Sequence, residues 1–113
     1  MYNILFYEDE YGNKPVESYI DELDDASFKS KDARIQLEQI IYCLKRLEDM
    51  GTRAGAKFTK HIKDDIWELR PGDNRILFFG WKGNQFVLLH HFPKTTQKTP
   101  VFANIEMSHL VTV

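Results

Sequence analysis

Cysteine is almost absent from this chain, because Cys43 is the only one among its 113 residues. A lone cysteine excludes an internal disulfide framework and a cysteine-rich zinc site. Long apolar runs are missing as well, and none approaches the roughly 18 to 20 residues of a membrane helix. The opening segment Met1–Tyr7 lacks the basic flank of a signal peptide. We therefore expect a cytoplasmic protein with no membrane partner.

Motifs of cofactor and metal chemistry are also missing. The sequence holds no glycine-rich phosphate loop, no Gly-x-Ser-x-Gly nucleophile elbow and no His-x-x-x-His or Cys-x-x-Cys spacing. His90 and His91 are adjacent, and adjacent side chains of a strand point to opposite faces, so this pair does not favour a chelate. We expect no metal and no cofactor.

The composition is typical of one globular domain over residues 1–113, with 42% hydrophobic and 13% aromatic residues. The net charge of −2 joins two unlike halves. Residues 1–50 hold 12 acidic and 6 basic side chains, a net −6, and residues 51–113 hold 5 acidic and 9 basic ones, a net +4. This split favours an anionic partner for one region, and chance is the alternative.

Two helices are predicted in the acidic half. Asn13-Lys14-Pro15 is typical of a helix start, and the first helix spans about residues 14–25. The second spans about 31–50 and ends before Gly51, which suits a left-handed cap. Cys43 falls beside the apolar stripe of the second helix and is interpreted as a passive small residue. That stripe consists of Ala33, Leu37, Ile40, Ile41, Leu44 and Leu47.

Strands are predicted at residues 2–7, 66–70, 75–81 and 86–92, and the last three form an antiparallel meander with tight turns. Residues 58–62 favour a short strand or a turn, and residues 101–113 a short helix or an irregular end. The order β-α-α-β-β-β predicts an α+β fold in which a helical hairpin packs on a small, mainly antiparallel sheet.

Basic side chains are predicted to gather at one edge of the meander. Arg70 ends one strand and Arg75 opens the next across a four-residue turn, so the two can share a surface. Antiparallel pairing would bring His91 and Lys94 towards Arg75. Arginine binds phosphate oxygens in a bidentate fashion, and histidine titrates near neutral pH. The pattern therefore indicates phosphate chemistry.

Structural interpretations remain open for the same residues. Arg70 and Arg75 can form ordinary salt bridges with Glu68 and Asp73. His91 can be a structural histidine, and Lys94, Lys98 and the basic run around Lys60 and His61 can be solvated surface. His90 shares its parity with an expected core face of Phe86, Leu88 and Phe92. Base stacking and core packing are both open for Trp67, Phe79 and Trp81.

Four segments resemble the phage-derived HigB branch of the RelE/ParE toxin superfamily over about residues 2–106. They are Pro15–Ile20, Ile66–Arg70, Asn74–Phe78 and Leu88–Pro100, the last with the sequence Leu-Leu-His-His-Phe-Pro-Lys-Thr-Thr-Gln-Lys-Thr-Pro. The resemblance implies a RelE-like fold and the toxin of a type II toxin–antitoxin system.

The resemblance also implies the reaction, a ribosome-dependent cleavage of mRNA without metal or cofactor. The RNA 2′-hydroxyl attacks the adjacent phosphate, a base takes its proton, and an acid protonates the leaving 5′ oxygen. Arg70 and Arg75 would stabilise the phosphorane. His91 or Lys94 would be the acid or base, and which does which stays open. Lys98 would hold RNA, and we expect RNA contacts at His61 and Lys60 too.

The implied partners are a HigA-like helix-turn-helix antitoxin, the ribosome and mRNA, with operator DNA bound only through the antitoxin. Two other functions are compatible with the fold. One is a ParE-like toxin that inhibits gyrase, and the other is a non-catalytic module that binds RNA or protein. The basic edge of the meander favours the nuclease, because gyrase inhibition has no need of a phosphate clamp.

Overall fold

The fold is known from a computed structural model that describes residues 1–94. The predicted α+β class is confirmed, and residues 58–62 contribute a strand rather than a turn. The possible helix at 101–113 lies outside the described residues. In chain order the elements are β1 (Asn3–Phe6), α1 (Pro15–Ala26), α2 (Lys31–Met50), a 3-10 turn (Gly51–Ala54), β2 (Thr59–Lys63), β3 (Ile66–Leu69), β4 (Asn74–Trp81) and β5 (Gln85–Pro93).

Both helices begin and end where local chemistry favours it. Helix α1 carries Pro15 in its first turn, where a missing N–H costs nothing. Helix α2 is capped by the Ser30 hydroxyl, which accepts a hydrogen bond of 3.1 Å from the Ala33 N–H. It ends at Gly51, where φ is +60° and where a Cβ would lie 2.8 Å from the Tyr2 ring. Only glycine satisfies both demands at that position.

The buried stripe of α2 is rotated from the predicted one. Cys43 is buried together with Ile40 and Leu47, whereas Ile41 is largely exposed. A helix turns 100° per residue, so positions 40, 43 and 47 share one narrow face and position 41 lies to its side. The prediction that Cys43 lies beside the stripe was wrong. Burial raises the pKa of its thiol to about 11, which leaves it protonated at neutral pH.

The five strands form one sheet in the order β1-β5-β4-β3-β2. Strand β1 pairs with β5 in parallel, and every other pairing is antiparallel. The strand at the centre of this order, β4, therefore carries its residues into the middle of the molecule. Among residues 1–94, no helix is long and apolar enough to cross a membrane.

A β-bulge in β5 divides that strand into two parts. Leu77 pairs with His90 and Phe78 with Leu88, so Leu89 is an extra residue opposite β4. Leu88 and Leu89 are both buried, in the clusters on opposite faces of the sheet, and the bulge puts His90 on the same face as Leu89. The expectation that His90 and Phe92 share a face with Phe86 and Leu88 was wrong, because one inserted residue reverses the alternation.

Two apolar clusters result, one on each face of the sheet. The first packs between the sheet and the helices, and its members include Val16, Ile40, Leu47, Ile76 and Phe78. The second lies on the opposite face, which we call the far face. It consists of Ile66, Leu77, Phe79, Leu89 and Phe92, all nearly fully buried.

Candidate functional site

A tight turn between β3 and β4 brings Arg70 and Arg75 together. The ladder closes at the pair Leu69 and Ile76, so the two arginines stand on either side of the turn. Within it, the Asn74 N–H donates to the Pro71 carbonyl at 3.0 Å. Gly72 has φ of +58° and packs against the amide of Gln39 on α2, which leaves no space for a Cβ. The helix therefore fixes the turn from one side.

Glu68 lies between the two arginines. Its Oε2 atom is 3.7 Å from Arg70 Nε and 3.8 Å from Arg75 Nε. The side chains of Glu68 and Arg75 are only 11% and 8% exposed, and that of Arg70 is 33% exposed. One carboxylate thus faces two permanent cations, and the group carries a net charge of +1. A poorly hydrated excess cation attracts an anion.

Hydrogen bonds fix the position of both guanidinium groups. Arg75 Nη1 donates to the carbonyls of Gly72 and Asn74, at 2.9 and 2.7 Å. Arg70 Nη1 donates to the Ala56 carbonyl at 3.2 Å. Among residues 1–94, nothing accepts a hydrogen bond from either Nη2 group. Each arginine therefore keeps N–H donors that an incoming phosphate oxygen can take. We call Glu68, Arg70 and Arg75 the arginine triad.

Lys94 lies beside the same turn. Its backbone N–H donates to the Asp73 carbonyl at 2.8 Å, immediately after the pairs that Asn74 and Arg75 form with β5. The side chain of Lys94 is exposed. The structure thus places the Lys94 backbone at the end of the sheet that carries the triad. Lys98 lies outside the described residues.

His91 is on the other side of the sheet. It pairs with Ile76 and faces the helices, where its ring stacks on Tyr19 with centroids 3.8 Å apart and an interplanar angle of 9°. Arg75 pairs with Phe92 and so faces the far face. The predicted approach of the His91 side chain to Arg75 does not occur, because the bulge at Leu89 reverses the parity of the strand end.

The environment of His91 suits a neutral ring. Burial lowers its pKa, the charge of neighbouring His90 adds to this, and Glu22 opposes it. The Tyr19 hydroxyl donates to Asn74 Oδ1 at 3.0 Å, and Asn74 Nδ2 donates to Gln36 Oε1 at 3.0 Å. Burial, then the charge of Asp32, raises the pKa of Tyr19. His91 therefore packs against a neutral polar network.

Lys60 and His61 lie on the edge strand β2. Lys60 pairs with Glu68 and is exposed. His61 pairs with Trp67 and meets its ring edge-on, with centroids 5.1 Å apart. His61 Nε2 lies 2.6 Å from the Asp64 carbonyl oxygen. Trp67 packs on the helix-side cluster and is partly exposed, whereas Phe79 is buried on the far face and Trp81 is exposed at the distant end of β4.

A cleft of about 420 Å³ opens beside the triad. It runs between the segment after α2 and the edge formed by β2 and β3. Arg70 belongs both to the triad and to the wall of this cleft, so the two features are continuous. The principal lining residues are Gly55, Thr59, Lys60, His61, Trp67 and Arg70.

Sequence reasoning underrated Glu68. It was expected only as an ordinary salt-bridge partner, whereas the structure buries it as the shared partner of two arginines. The available signal was its position two residues before Arg70 on the same face of a strand whose neighbours are apolar. Among residues 1–94, no group of three or more histidine, cysteine or carboxylate side chains is arranged to hold a metal ion.

Comparison with known families matches residues 19–105 to the phage-derived Gp49-like proteins (DUF891). The matched segment includes α1 from Tyr19 onward, all of α2, and strands β2 to β5 with the triad. A comparison with curated proteins finds no match.

Proposed function

Because the chain belongs to the Gp49-like family of RelE/HigB-like toxins of toxin–antitoxin systems, we propose that it is a HigB-type toxin that cuts mRNA on the ribosome. The observation that carries the proposal is the arginine triad. Its net positive charge, and Nη2 donors that no acceptor of residues 1–94 occupies, suit a phosphate whose charge grows during the reaction. The fold alone would not distinguish this activity from others.

In the proposed reaction the 2′-hydroxyl oxygen of RNA forms a bond to the adjacent phosphorus, and the bond from phosphorus to the 5′ oxygen breaks. The products are a 2′,3′-cyclic phosphate and a 5′-hydroxyl. Arg70 and Arg75 bind the non-bridging oxygens and stabilise the phosphorane. Glu68 is a positioning residue, because it holds both guanidinium groups on the far face of the sheet.

One proton leaves the 2′-hydroxyl and another reaches the 5′ oxygen. Lys94 and His91 are the two candidates for these transfers. The placement of Lys94 beside the turn favours it as the acid, because a lysine side chain has only donors to offer. His91 faces the helices, and burial lowers its pKa. Comparing Lys94→Gln with His91→Gln in a cleavage assay assigns the transfer, and we expect the larger loss for Lys94→Gln.

The test of this function is the mapping of mRNA 5′ ends in cells after induction of the toxin. We expect new ends inside translated frames, and none on a matched transcript without a start codon. Arg70→Gln and Arg75→Lys, each checked for folding by circular dichroism, should remove most of these ends. DNA damage with intact mRNA would instead identify a gyrase inhibitor. Ribosome binding without cleavage would identify a non-catalytic module.

A toxin of this family has an antitoxin partner. We propose a HigA-like helix-turn-helix protein that neutralises the toxin and carries it to operator DNA. The expected results are restored growth on co-expression, co-purification of the two chains, and a gel shift of operator DNA only when the antitoxin is present. A shift by the toxin alone would contradict this division of labour.

A further inference from the structure

The interior of the cleft beside the triad contains a buried polar side chain. Thr59 is buried at its base, and its hydroxyl lies 3.3 Å from the carbonyls of Thr52 and Gly55, so this polar group is already engaged. A Cβ added to Gly55 would meet nothing within 4 Å, which shows that the entrance is open there. The volume of about 420 Å³ lies within the range of small-ligand sites, roughly 300 to 1,000 Å³.

The charge around the cleft is mainly positive. Residues 52–63, which form one side of it, contain four basic side chains and no carboxylate. Lys60 and Arg70 are the two cations that line the cleft itself. Glu68 lies opposite Lys60 and 3.7 Å from Arg70 Nε, so these three side chains carry a net charge of +1. Asp64 lies next to His61 but offers it a backbone carbonyl oxygen rather than its carboxylate. The cleft therefore favours an anionic ligand.

The cleft also has an aromatic wall. Trp67 is partly exposed there and His61 stands edge-on to it, at an interplanar angle of 67°. Cations alone would suit any anion, but cations beside a tryptophan and a histidine suit an anion that carries a planar ring. Nucleotides combine these features, and stacking on aromatic side chains with electrostatic contact to the backbone is the usual mode of binding single strands.

We propose that this cleft binds one nucleotide of single-stranded RNA, next to the phosphate held by the triad. The base lies against Trp67 and His61 on the helix side of the edge strand β2. Its phosphate reaches Lys60 and Arg70 across that edge, because these two cations lie on the far face with Glu68. Because Arg70 belongs to both sites, the bound nucleotide fixes the position of the strand relative to the scissile bond. This inference rests on the proposed function for its RNA, and it adds a site that selects and orients the substrate.

Two tryptophans make the cleft directly measurable. Trp67 is in the cleft, and Trp81 lies at the far end of β4, where it is 37% exposed. In a Trp81→Phe protein all tryptophan fluorescence comes from Trp67. The probe is a short 2′-O-methyl oligoribonucleotide, which has no 2′-hydroxyl to react. We expect saturable quenching, and no saturable quenching with inorganic phosphate alone, because phosphate brings no base.

Charge and ring are tested by matched variants in the same background. Lys60→Gln and His61→Asn should each weaken binding of the oligoribonucleotide by at least about fivefold. Lys82→Gln is the control, because Lys82 is an exposed lysine in the distant turn after Trp81 and should bind like the parent. Equal affinity of all three variants would overturn the proposal, and so would equally tight binding of an acidic peptide of the same charge.

The outcomes separate this inference from the proposed function. Cleavage of mRNA in cells without quenching of Trp67 would contradict the nucleotide-binding cleft and support the nuclease. Saturable quenching that depends on Lys60, in a protein that leaves mRNA intact, would contradict the nuclease and support an RNA-binding cleft. We expect both signals, together with a changed pattern of cleavage positions in the Lys60→Gln protein.

Discussion

On the helix-covered face of the sheet, the side chains of Tyr19, Asn74 and Gln36 form a neutral network in which each is bonded to another. The far face instead buries the carboxylate of Glu68 beside the guanidinium of Arg75. Neutral groups that hydrogen-bond to one another lose little free energy of hydration on burial, whereas charged groups lose much more. The face that bears this cost is the one with capacity to bind an anion.

The largest expected effect is on cleavage. Arg75→Lys keeps the charge but loses the planar fork that contacts phosphate, so we expect a rate lower by about 10²- to 10³-fold. Cleavage by ribosome-bound toxin measures it, with thermal unfolding as the check on the fold. The control is Arg34→Lys on the exposed side of α2. A rate equal to that of the parent protein would show that the arginine triad takes no part in cleavage.

The second effect is on stability. Glu68→Gln leaves two guanidinium groups without their carboxylate, and breaking such a buried pair costs about 3 kcal/mol. Urea unfolding measures the change. Glu48→Gln is the matched control, since Glu48 pairs with Lys45 at 3.8 Å on the surface and should cost under about 0.5 kcal/mol. Equal unfolding midpoints for the two variants would show that the buried ion pairs of Glu68 stabilise the fold no more than the exposed pair of Glu48 does.

A smaller effect is expected on the helix-covered face. Tyr19→Phe removes one hydroxyl from the neutral network and should lower the free energy of unfolding by about 1 kcal/mol. Cleavage should be unchanged, because Tyr19 faces away from the triad. Tyr11→Phe, at a site 81% exposed, is the control and should alter neither quantity. Loss of cleavage in a folded Tyr19→Phe protein would show that the helix-covered face, and not the far face, carries the chemistry.

The smallest effect is a pH dependence of stability. Burial holds the pKa of His91 below its ordinary value of 6.5, so the unfolded chain takes up this proton first as the pH falls. The contribution of His91 therefore destabilises the fold as the pH is lowered through 6.5 and levels off below the folded pKa. His91→Phe, which keeps a ring beside Tyr19, should flatten the profile of thermal midpoints between about pH 8 and pH 5. An unchanged profile in the His91→Phe protein would show that another group causes the pH dependence.

Local patterns were sufficient to predict much of the fold. The helix spacing, the proline before α1 and the glycine after α2 predicted both helices nearly to their ends, and turn residues predicted the β3–β4 and β4–β5 hairpins. The placement of Arg70 and Arg75 on either side of a four-residue turn followed from the same rules. These features depend on residues close in sequence, where periodicity and turn chemistry act directly.

The remainder depended on contacts between distant residues. The stripe of α2 was misjudged at Cys43 and Ile41, since either is apolar enough and only packing against the sheet selects one. The face of His91 was misjudged because a bulge leaves no mark in a run of apolar residues. The cleft joins Gly55 to Arg70 across two strands, so no single segment indicates it.

The bulge at Leu89 shifts the alternation of side chains along β5 by one residue. Beyond it, every side chain occupies the face that its neighbour would occupy in a regular strand. Deleting Leu89 would remove the bulge without turning the strand end, because Leu77 would still pair with His90 and Ile76 with His91. Closing the bulge with the sequence intact would instead slide the strand end by one residue against β4 and carry His91 to the side of Glu68 and Arg75. A shift in register, rather than a deletion at the bulge, thus separates a triad that lacks an imidazole from one that contains it.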